Sequence, residues 1–371
     1  MKINTFQAEN FRNLKSVSLE PCPNVNVIYG GNGQGKTSLA EALWLFSGCK
    51  SFRTSSNGEM IQYGQTNSTL KVQFEAAARL QHAELTVTPK GRELTLGGFR
   101  EPTPRRLLGV FPVVCFTPQA LSLAQGGPAE RRNFLNVALS MVSPSYAVTL
   151  AKYLKALAQR QALLKTAFKT GCIAADMFSV WEEKLSLYAT DLILFRRKYL
   201  SAFLPLLQEY YEGISGGKEA LTAKMKTPGL SEDAALCADA NAVSQAYRNA
   251  MQTCRQTDVF RQLTSTGPHR DDLELFLNGK PLRDFGSQGQ QRSVALAMKF
   301  AEADTLMRFT DEIPIAVLDD VLGELDADRQ KGLLSFIRER QVFLTTCEPS
   351  HALHGQSGKV FCVREGQVCS A

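Results

Sequence analysis

The sequence predicts an α/β protein of two lobes, in which a largely helical lobe interrupts a lobe of mixed strands and helices. At 371 residues, the chain is long enough for two domains or for one large domain with an insertion. Strand-like runs fill the first ninety residues, Ala- and Leu-rich helical patterns fill about 130 to 250, and mixed patterns return after 260. We therefore expect the limits 1–125, 126–254 and 255–371, with the two outer segments forming one lobe.

The strands and helices of the mixed lobe follow from periodicity. Alternation and turn residues predict strands in the first segment, and apolar residues at helical spacing predict a helix over 37–46. Asn278 and Gly279 predict a hairpin turn, after which we expect a helix and two buried strands. The predicted strands are 3–6, 25–29, 70–74, 83–88, 92–96, 273–277, 280–282, 315–318 and 341–345, the second helix is 293–306, and a terminal hairpin covers 361–368.

The helical insertion carries two apolar stripes. One stripe runs from Tyr146 to Phe168 and the other from Phe178 to Tyr199, with a turn at Gly171 between them. We interpret both stripes as packing between two antiparallel helices rather than as a cofactor site. At 1.5 Å per residue, such helices reach about 30 to 40 Å, far short of a long coiled-coil arm.

Composition and charge exclude several classes of protein. The chain is 44% hydrophobic and 21% charged, which is typical of a folded globular protein, and its net charge of +6 permits an anionic partner without proving one. We expect a cytoplasmic protein without a membrane association, since no apolar run is long enough to span a bilayer and the start lacks a secretory signal. Nine cysteines without a C-x-x-C pair, and four histidines without H-E-x-x-H, favour neither a disulfide framework nor a zinc protease.

The strongest motif lies between the strand at 25–29 and the helix at 37–46. It fits G-x-x-x-x-G-K-[ST], a loop whose backbone N–H groups and helix dipole bind phosphate. In such a loop the lysine reaches the β and γ phosphates, and the threonine hydroxyl binds Mg²⁺. The predicted nucleotide-binding residues are Gly30, Gly31, Asn32, Gly33, Gln34, Gly35, Lys36, Thr37 and the adjoining Ser38.

An acidic partner for the metal follows the apolar strand at 315–318. Asp319 is suited to hold Mg²⁺ and Asp320 to polarise an attacking water. Two aspartates after a strand are ordinary solvated residues in isolation, but the phosphate loop changes that interpretation. Since Lys36 and Asp319 lie about 280 positions apart, we infer that the helical block was inserted between two halves of one ATPase.

A second anion-binding helix start lies at 285–293, with the sequence F-G-S-Q-G-Q-Q-R-S. Ser287 and Gly289 could bind phosphate there, or Ser287 could be an ordinary helix N-cap followed by a turn glycine. Because the chain already has a phosphate loop, this second site fits the ATP of a partner subunit.

In this order, the motifs resemble the ATP-binding-cassette (ABC-type) ATPase heads of the SMC-like DNA repair proteins, and most closely the RecF family. Similarity extends over nearly the whole chain, and the short insertion fits because SMC proteins carry hundreds of residues of coiled coil there. Besides the phosphate loop, the S-Q-G-Q-Q helix and the Leu-Asp-Asp strand, the resemblance rests on E-N-F-R-N-L at 9–14, P-A-E-R-R-N-F-L at 128–135, G-P-H-R-D-D-L at 267–273 and E-L-D at 324–326.

The resemblance implies an ABC-type P-loop head, with an antiparallel β subdomain and an inserted helical lobe, that dimerises on ATP. It implies a slow, DNA-stimulated ATPase that binds duplex and gapped DNA and acts with RecR and RecO to load RecA in recombinational repair, replication restart and the SOS response. The roles carried over are Lys36 and Asp320 in catalysis, Thr37 and Asp319 at the metal, Arg12 and Asn13 near the nucleotide, Ser287, Gly289 and Gln290 across the dimer, Asp326 as the D-loop aspartate and Gln119 as the γ-phosphate sensor.

Three other functions remain open from the sequence. An ATP-gated DNA scaffold would bind nucleotide without needing hydrolysis. The ATPase subunit of a transporter and a P-loop small-molecule kinase would also carry the phosphate loop. Two features argue against the transporter subunit and the kinase. They are the inserted helical lobe and the S-Q-G-Q-Q motif at 287–291, which occupies the place of the signature motif of transporter ATPases.

Strong basic patches are not evident. Arg105–Arg106, Arg131–Arg132 and Arg196–Lys198 are candidates for DNA phosphate contacts, although paired basic residues on helices are usually a solvated face. Without interleaved aromatic residues, we expect backbone-directed, salt-sensitive DNA binding with little sequence preference.

Overall fold

The computed structural model describes residues 1–121, 123–172, 175–231, 239–325, 327–336, 339–347 and 357–370. The chain forms two compact units. The first consists of Met1–Leu123, Leu206–Glu219 and Ser287–Ala371, and the second of Ala124–Pro205 and Ala220–Gly286. No helix in the described part of the chain is both long and apolar enough to cross a membrane.

The compact units differ from the predicted limits in two places. Residues 255–286 belong to the second unit because the strand Leu221–Lys226 pairs with Asp272–Leu277 along six residues. The strand at 221–226 lacks a strong sequence signal and was not expected inside the helical block. Residues 206–219, which were expected in the helical lobe, belong to the first unit.

Strands and helices are numbered here in chain order. The strands are β1 Lys2–Phe11, β2 Leu14–Leu19, β3 Val25–Tyr29, β4 Ser68–Ala76, β5 Arg79–Thr88, β6 Gly91–Leu96, β7 Phe99–Glu101, β8 Val113–Phe116, β9 Leu221–Lys226, β10 Asp272–Leu277, β11 Lys280–Pro281, β12 Ile315–Asp319, β13 Val342–Thr346, β14 Gly358–Arg364 and β15 Gln367–Ser370. The helices are α1 Lys36–Leu45, α2 Pro118–Leu121, α3 Pro128–Val142, α4 Pro144–Thr170, α5 Ala175–Ser215, α6 Ala240–Thr253, α7 Arg255–Arg261, α8 Leu282–Phe285, α9 Gln288–Thr310 and α10 Ala327–Phe336.

One twelve-stranded sheet forms the described framework of the first unit, in the order β7-β6-β5-β4-β1-β2-β15-β14-β3-β13-β12-β8. The strands β14, β3, β13, β12 and β8 run parallel, whereas β1, β2 and β4–β7 form an antiparallel part. Buried side chains occupy nearly every position of β3, β12 and β13, as expected for parallel strands covered on both faces. The carboxyl ends of these three strands therefore meet at one edge of the sheet.

Helix α1 packs into the core of the first unit. Nine of its ten residues are buried, which explains why its apolar residues cover more than one helix face. Phe46, directly after α1, contacts the Phe111 ring at 5.8 Å between centroids, and Phe111 contacts Phe74 at 4.9 Å. These aromatic contacts join α1 to the antiparallel part of the sheet and so support the loop that precedes the helix.

The second unit contains the two predicted long helices. Helix α4 ends at Gly171, whose φ of 67° is the left-handed conformation that glycine adopts without strain. Helix α5 has 41 residues and includes Pro205, so it is about 60 Å long rather than 30 to 40 Å. The prediction was too short because the apolar stripe was followed only as far as Tyr199.

A buried arginine holds α4 in the second unit. Arg160 is fully buried, and its guanidinium contacts the Asp258 carboxylate at 2.8 Å and the Glu182 carboxylate at 3.1 Å. Both carboxylates are also fully buried. Each charge therefore depends on the others for the solvation that water would otherwise provide.

Replacing Arg160 with Ala should destabilise the protein strongly. The substitution leaves the Asp258 carboxylate buried without its cation and removes one of the two arginines that pair with Glu182, the other being Arg255. Breaking a buried ion pair in this way typically costs about 3–5 kcal/mol. Lys155→Ala, at an exposed position of the same helix, should change stability by less than about 0.5 kcal/mol. Thermal unfolding followed by circular dichroism measures both, and equal melting temperatures would show that the buried cluster does not hold α4.

Candidate functional site

The phosphate loop joins β3 to α1. Gly35 lies at the helix N-cap with a φ of 118°, and Gly33 has a φ of 77°, so two of the motif glycines adopt backbone conformations that side chains disfavour. A Cβ atom added to Gly35 would lie 2.6 Å from Leu14 Cδ2. Glycine is therefore required at these two positions, because a side chain would strain the backbone and, at Gly35, would collide with Leu14. The absence of side chains also leaves the N–H groups of the loop accessible to phosphate.

Lys36 is the first residue of α1, and its side chain turns back over the loop. The Nζ atom donates to Gly30 O at 2.7 Å and to Gly31 O at 2.9 Å, and the residue is only 8% exposed. The ammonium group is therefore fixed above the loop backbone, which is where phosphate oxygens bind in such motifs.

The two halves of the predicted metal site are in contact. Thr37 Oγ1 donates to Asp319 Oδ1 at 3.0 Å, and Thr345 Oγ1 donates to the same carboxylate oxygen at 2.8 Å. Burial raises the pKa of Asp319, while the hydrogen bonds from Thr345 and Thr37 lower it in part. A hydroxyl and a carboxylate side by side are the oxygen donors that Mg²⁺ prefers, and the cation would offset the desolvation of Asp319.

Asp320 occupies a different environment from Asp319. It is exposed, and its backbone has a φ of 54°, which is unusual for a residue with a side chain. Its N–H donates to Thr345 Oγ1 at 3.0 Å, so the same threonine holds both aspartates. The buried carboxylate is suited to a metal and the exposed one to a water molecule, so the two predicted roles stay predictions that this geometry permits.

Arg12 and Asn13 lie at the turn between β1 and β2. Asn13 Nδ2 donates to Gly33 O at 2.7 Å, and its Oδ1 accepts from Ser38 Oγ at 2.7 Å, so this residue contacts the phosphate loop directly. Arg12 instead forms a two-point ion pair with Glu41 of α1, at 2.6 and 2.8 Å. Sequence reasoning did not identify Glu41 as part of this site, because nothing in its helical context marks it as the buried partner of a residue 29 positions away.

The terminal hairpin also contacts the phosphate loop. The Glu365 N–H donates to Gln34 Oε1 at 2.6 Å, and the Gly366 N–H donates to Gln34 O at 3.3 Å. A Cβ atom added to Gly30 would lie 2.3 Å from Val363 O. The sequence suggested no chemistry for this hairpin, because its contacts join residues more than 300 positions apart.

Ser287 is the N-cap of α9 and is exposed. Its Oγ accepts from the Gln290 N–H at 3.2 Å, and Gln290 Oε1 accepts from the Ser287 N–H at 2.7 Å, forming a capping box. The Gln290 amide also donates to Glu219, and Arg329 donates to Gly289 O at 2.8 Å. The start of α9 is therefore held in one conformation by side chains on both sides.

Two predicted residues receive less support. Gln119 lies in α2, directly after β8, and is exposed. The D-loop prediction at Asp326 falls outside the described residues.

Two of the arginines considered as DNA contacts form buried ion pairs instead. Arg131 is buried and forms a two-point ion pair with Asp272, at 2.8 and 2.9 Å. Arg196 is also buried and pairs with Asp271, and the neighbouring Arg132 donates to Asp271 O at 2.8 Å. Arg131 and Arg196 are therefore neither DNA phosphate contacts nor part of a solvated face, the two interpretations that the sequence left open, because both guanidinium groups neutralise carboxylates within the second unit.

A loop between β3 and α1, facing an acidic pair at the end of β12, is the arrangement of an ABC-type P-loop ATPase head. Residues 1–171 match the AAA ATPase domain family model. The chain is 36% identical to the DNA replication and repair protein RecF of Heliobacterium modesticaldum, over 99% of both chains, and 37% identical to RecF of Bacillus cereus, over 93% and 92%. The chain therefore belongs to the RecF family.

Solved structures agree with this assignment. The structure of the recombination mediator protein RecF with ATP, from the RecFOR pathway, matches with a TM-score of 0.90 and 29% identity, covering 100% of this chain and 97% of that one. An SMC head bound to the C-terminal winged-helix domain of ScpA matches with a TM-score of 0.54 and 16% identity, over 100% and 98% of the two chains, and shares the fold.

Replacing Thr345 with Val should reduce ATP hydrolysis about tenfold or more. The change removes a hydrogen bond of a type worth about 1.5–3 kcal/mol from the Asp319 carboxylate, and leaves the Asp320 N–H without its acceptor. Steady-state phosphate release measures the effect.

The matched control is Thr305→Val. Thr305 Oγ1 is buried without a hydrogen-bond partner among the described residues, so the same substitution there removes no bond. Equal turnover in Thr345→Val and Thr305→Val would contradict the importance of the link between Thr345 and Asp319.

Proposed function

We propose that this protein is an ATP-binding and ATP-hydrolysing DNA repair protein that closes as a dimeric clamp on duplex or gapped DNA. The observation that carries this proposal is the contact of Thr37 and Thr345 with Asp319 beside the Lys36 loop. Full-length similarity to RecF supports the biological role.

The nucleotide would bind at the loop from Gly30 to Ser38. Its phosphates would accept hydrogen bonds from the loop N–H groups and from Lys36, which is already fixed above them. Thr37 and Asp319 would hold Mg²⁺, which supplies charge neutralisation at the phosphates when bound. Asn13 would maintain the loop conformation through its contact with Gly33 O.

Hydrolysis would depend on Asp320. Its exposed carboxylate can orient and polarise a water molecule, while Thr345 holds the backbone of the residue. Transporter ATPases have a switch histidine directly after the strand that corresponds to β13, whereas here β13 ends in Thr345 and Thr346 and Cys347 follows. We infer slow turnover that DNA stimulates, with hydrolysis as the release step.

Dimerisation would complete the site. Ser287, Gly289 and Gln290 form a helix start that is held in one conformation, with Ser287 exposed, and it resembles the signature of related ATPases. One phosphate loop needs no second anion site in its own chain. We infer that this helix start contacts the ATP of a second copy, and that Asp326 lies at the same interface. ATP favours the dimer only through its greater affinity for that state.

The cellular role follows from the family. We propose that the first unit is the ATPase lobe and the second unit the helical lobe, and that the clamp acts with RecR and RecO to promote RecA loading at single-strand gaps. This role places the protein in recombinational repair, replication restart and the SOS response. The naming of a solved relative within the RecFOR pathway supports this set of partners.

A scaffold in which hydrolysis is not needed is the main alternative. The separate environments of Asp319 and Asp320 favour an active hydrolase over it. A transporter ATPase subunit would cofractionate with membranes, and a small-molecule kinase would form a phosphorylated metabolite. Neither alternative accounts for full-length similarity to DNA replication and repair proteins.

Sedimentation velocity with Mg²⁺ tests the clamp. The wild type should dimerise only with ATP and should bind a gapped duplex as a dimer. Ser287→Arg should bind nucleotide but stay monomeric, because a cation and a bulky side chain replace the exposed helix cap. Ser179→Arg, at an exposed position of α5, should behave as wild type. If ATP changes no sedimentation coefficient with or without DNA, the role of Ser287 across a dimer is wrong.

Replacing Asp320 with Asn should reduce ATP hydrolysis about 100-fold or more while ATP still binds, since the amide cannot polarise water as a carboxylate does. Asp311→Asn is the matched control, because Asp311 is also exposed and also has a positive φ, of 56°. Gap repair in cells should fail in Asp320→Asn. Normal repair without turnover would instead support the scaffold.

A further inference from the structure

Two cysteines face each other across the terminal hairpin. Cys362 of β14 is the direct antiparallel partner of Cys369 of β15, so both side chains lie on the same face of the sheet. The turn between the strands consists of Glu365 and Gly366, with φ values of 52° and 75°, which is the two-residue turn typical of tight hairpins.

The turn determines the type of pair that the cysteines form. The residues flanking a two-residue turn are a hydrogen-bonded pair, and pairs alternate along an antiparallel ladder. Cys362 and Cys369 stand two positions further along, so they are again a hydrogen-bonded pair, with Cα atoms about 5.5 Å apart. Disulfides span Cα separations of about 4.4–6.8 Å, so this pair is within range.

The surroundings of the pair distinguish it from other cysteines. Cys362 is half-buried and Cys369 is exposed, so small reagents can reach the pair. By contrast, burial raises the pKa of the Cys49 thiol to about 11, which keeps that thiol unreactive. Tyr29 is the β3 partner of Cys362, and the neighbouring Cys362 thiol raises the pKa of Tyr29.

The hairpin is attached to the phosphate loop at three points. Tyr29 immediately precedes the loop, Val363 O lies against Gly30, and the turn amides of Glu365 and Gly366 bind Gln34. A change in the twist or spacing of β14 and β15 would therefore reach the loop through two backbone contacts, at Gly30 and Gln34 O, and through the Gln34 side chain.

We propose that Cys362 and Cys369 are a site of reversible disulfide formation by small-molecule disulfides, and that the oxidised hairpin binds nucleotide less tightly at the adjacent phosphate loop. One cysteine thiolate attacks oxidised glutathione, forms a mixed disulfide and releases one glutathione. The second thiolate then attacks the mixed disulfide and releases the second glutathione. Two cysteine thiols are oxidised, one disulfide is reduced to two thiols, and the two protons pass to the glutathione.

Geometry explains both the reversibility and the effect on the loop. Cβ atoms in a hydrogen-bonded pair are about 5.5 Å apart, whereas a disulfide requires about 3.8 Å. Closing this gap draws the strands together and displaces the turn amides from Gln34. Strained and exposed disulfides are also the ones that thiols reduce readily.

Peptide mapping tests the bond itself. The full-length protein is incubated in buffers of reduced and oxidised glutathione and digested with trypsin without reduction. Cleavage after Lys359 and Arg364 separates peptides 360–364 and 365–371, each with one cysteine. Mass spectrometry should find them joined after oxidation and separate after treatment with dithiothreitol. Peptides that stay separate under all conditions would overturn the proposal, whatever the nucleotide affinity.

Equilibrium titration with a fluorescent ATP analogue tests the coupling, which rests on the proposed nucleotide binding. The affinity for the ATP analogue should fall about fivefold when the disulfide forms and should recover when it is reduced. A factor of about five is at the low end of the changes in affinity that one site typically causes at another. Cys369→Ser should keep the reduced affinity, and Cys172→Ser, at an exposed position of the second unit, should respond as wild type.

Two outcomes would contradict the coupling. One is an unchanged affinity in the disulfide-bonded protein. The other is a loss of affinity that persists in Cys369→Ser, which would assign the sensitivity to another thiol such as Cys347, 3.5 Å from Lys36 Nζ. If the reduced protein does not bind nucleotide, the proposed function fails, while peptide mapping still decides whether the disulfide forms.

Discussion

The contact between Thr37 and Asp319 is the interaction on which the site depends. It joins residues 282 positions apart, and it exists because β3, β13 and β12 lie side by side and parallel in the sheet. Their shared edge brings together the helix start at Lys36, the carboxylate of Asp319 and the hydroxyl of Thr345. An insertion between the two sequence motifs is tolerated only if these three strands remain adjacent. Accordingly, the chain leaves the first unit after Leu123, returns to it over Leu206–Glu219, and returns again at Ser287 for α9 and β12.

Close backbone contacts around the phosphate loop place a second constraint on the first unit. Gly30 lies against Val363 O, Gly366 lies against Asn13 O, and Asp320 adopts a positive φ, a conformation that costs about 1–3 kcal/mol. Favourable contacts in the surrounding sheet must offset this cost. The strands β14 and β15 contribute such contacts by pairing with β3 and β2. The terminal hairpin thus supports the phosphate loop from outside, although its own residues carry none of the motif.

The sequence predicted those parts of the site that have a local pattern. The loop from Gly30 to Thr37, the acidic end of β12 and the N-cap Ser287 each combine a short motif with a flanking strand or helix, so periodicity located them. Other features depend on pairing between distant segments and were not predicted. They are the ion pair of Glu41 with Arg12, the contact of Gln34 with Glu365, and the pairing of β9 with β10. No local pattern reports such pairing, because the same residues would suit an exposed helix, a surface loop or a strand at a sheet edge. The length of α5 was underestimated for a different reason, since its apolar stripe was followed only to Tyr199 and the helix continues through Pro205 to Ser215.

Burial explains why basic residues were the least predictable feature. Arg131 and Arg196 share a charge and a helical context with surface arginines, yet each neutralises a buried aspartate in the segment from Pro268 to Asp272. Moving either guanidinium to a DNA phosphate would leave Asp271 or Asp272 buried without its cation, at a cost of several kcal/mol. A phosphate contact at the surface gains much less than this in water. The proposed binding to DNA would therefore have to use side chains that do not already neutralise buried carboxylates, which excludes these two arginines and leaves the exposed basic residues as candidates.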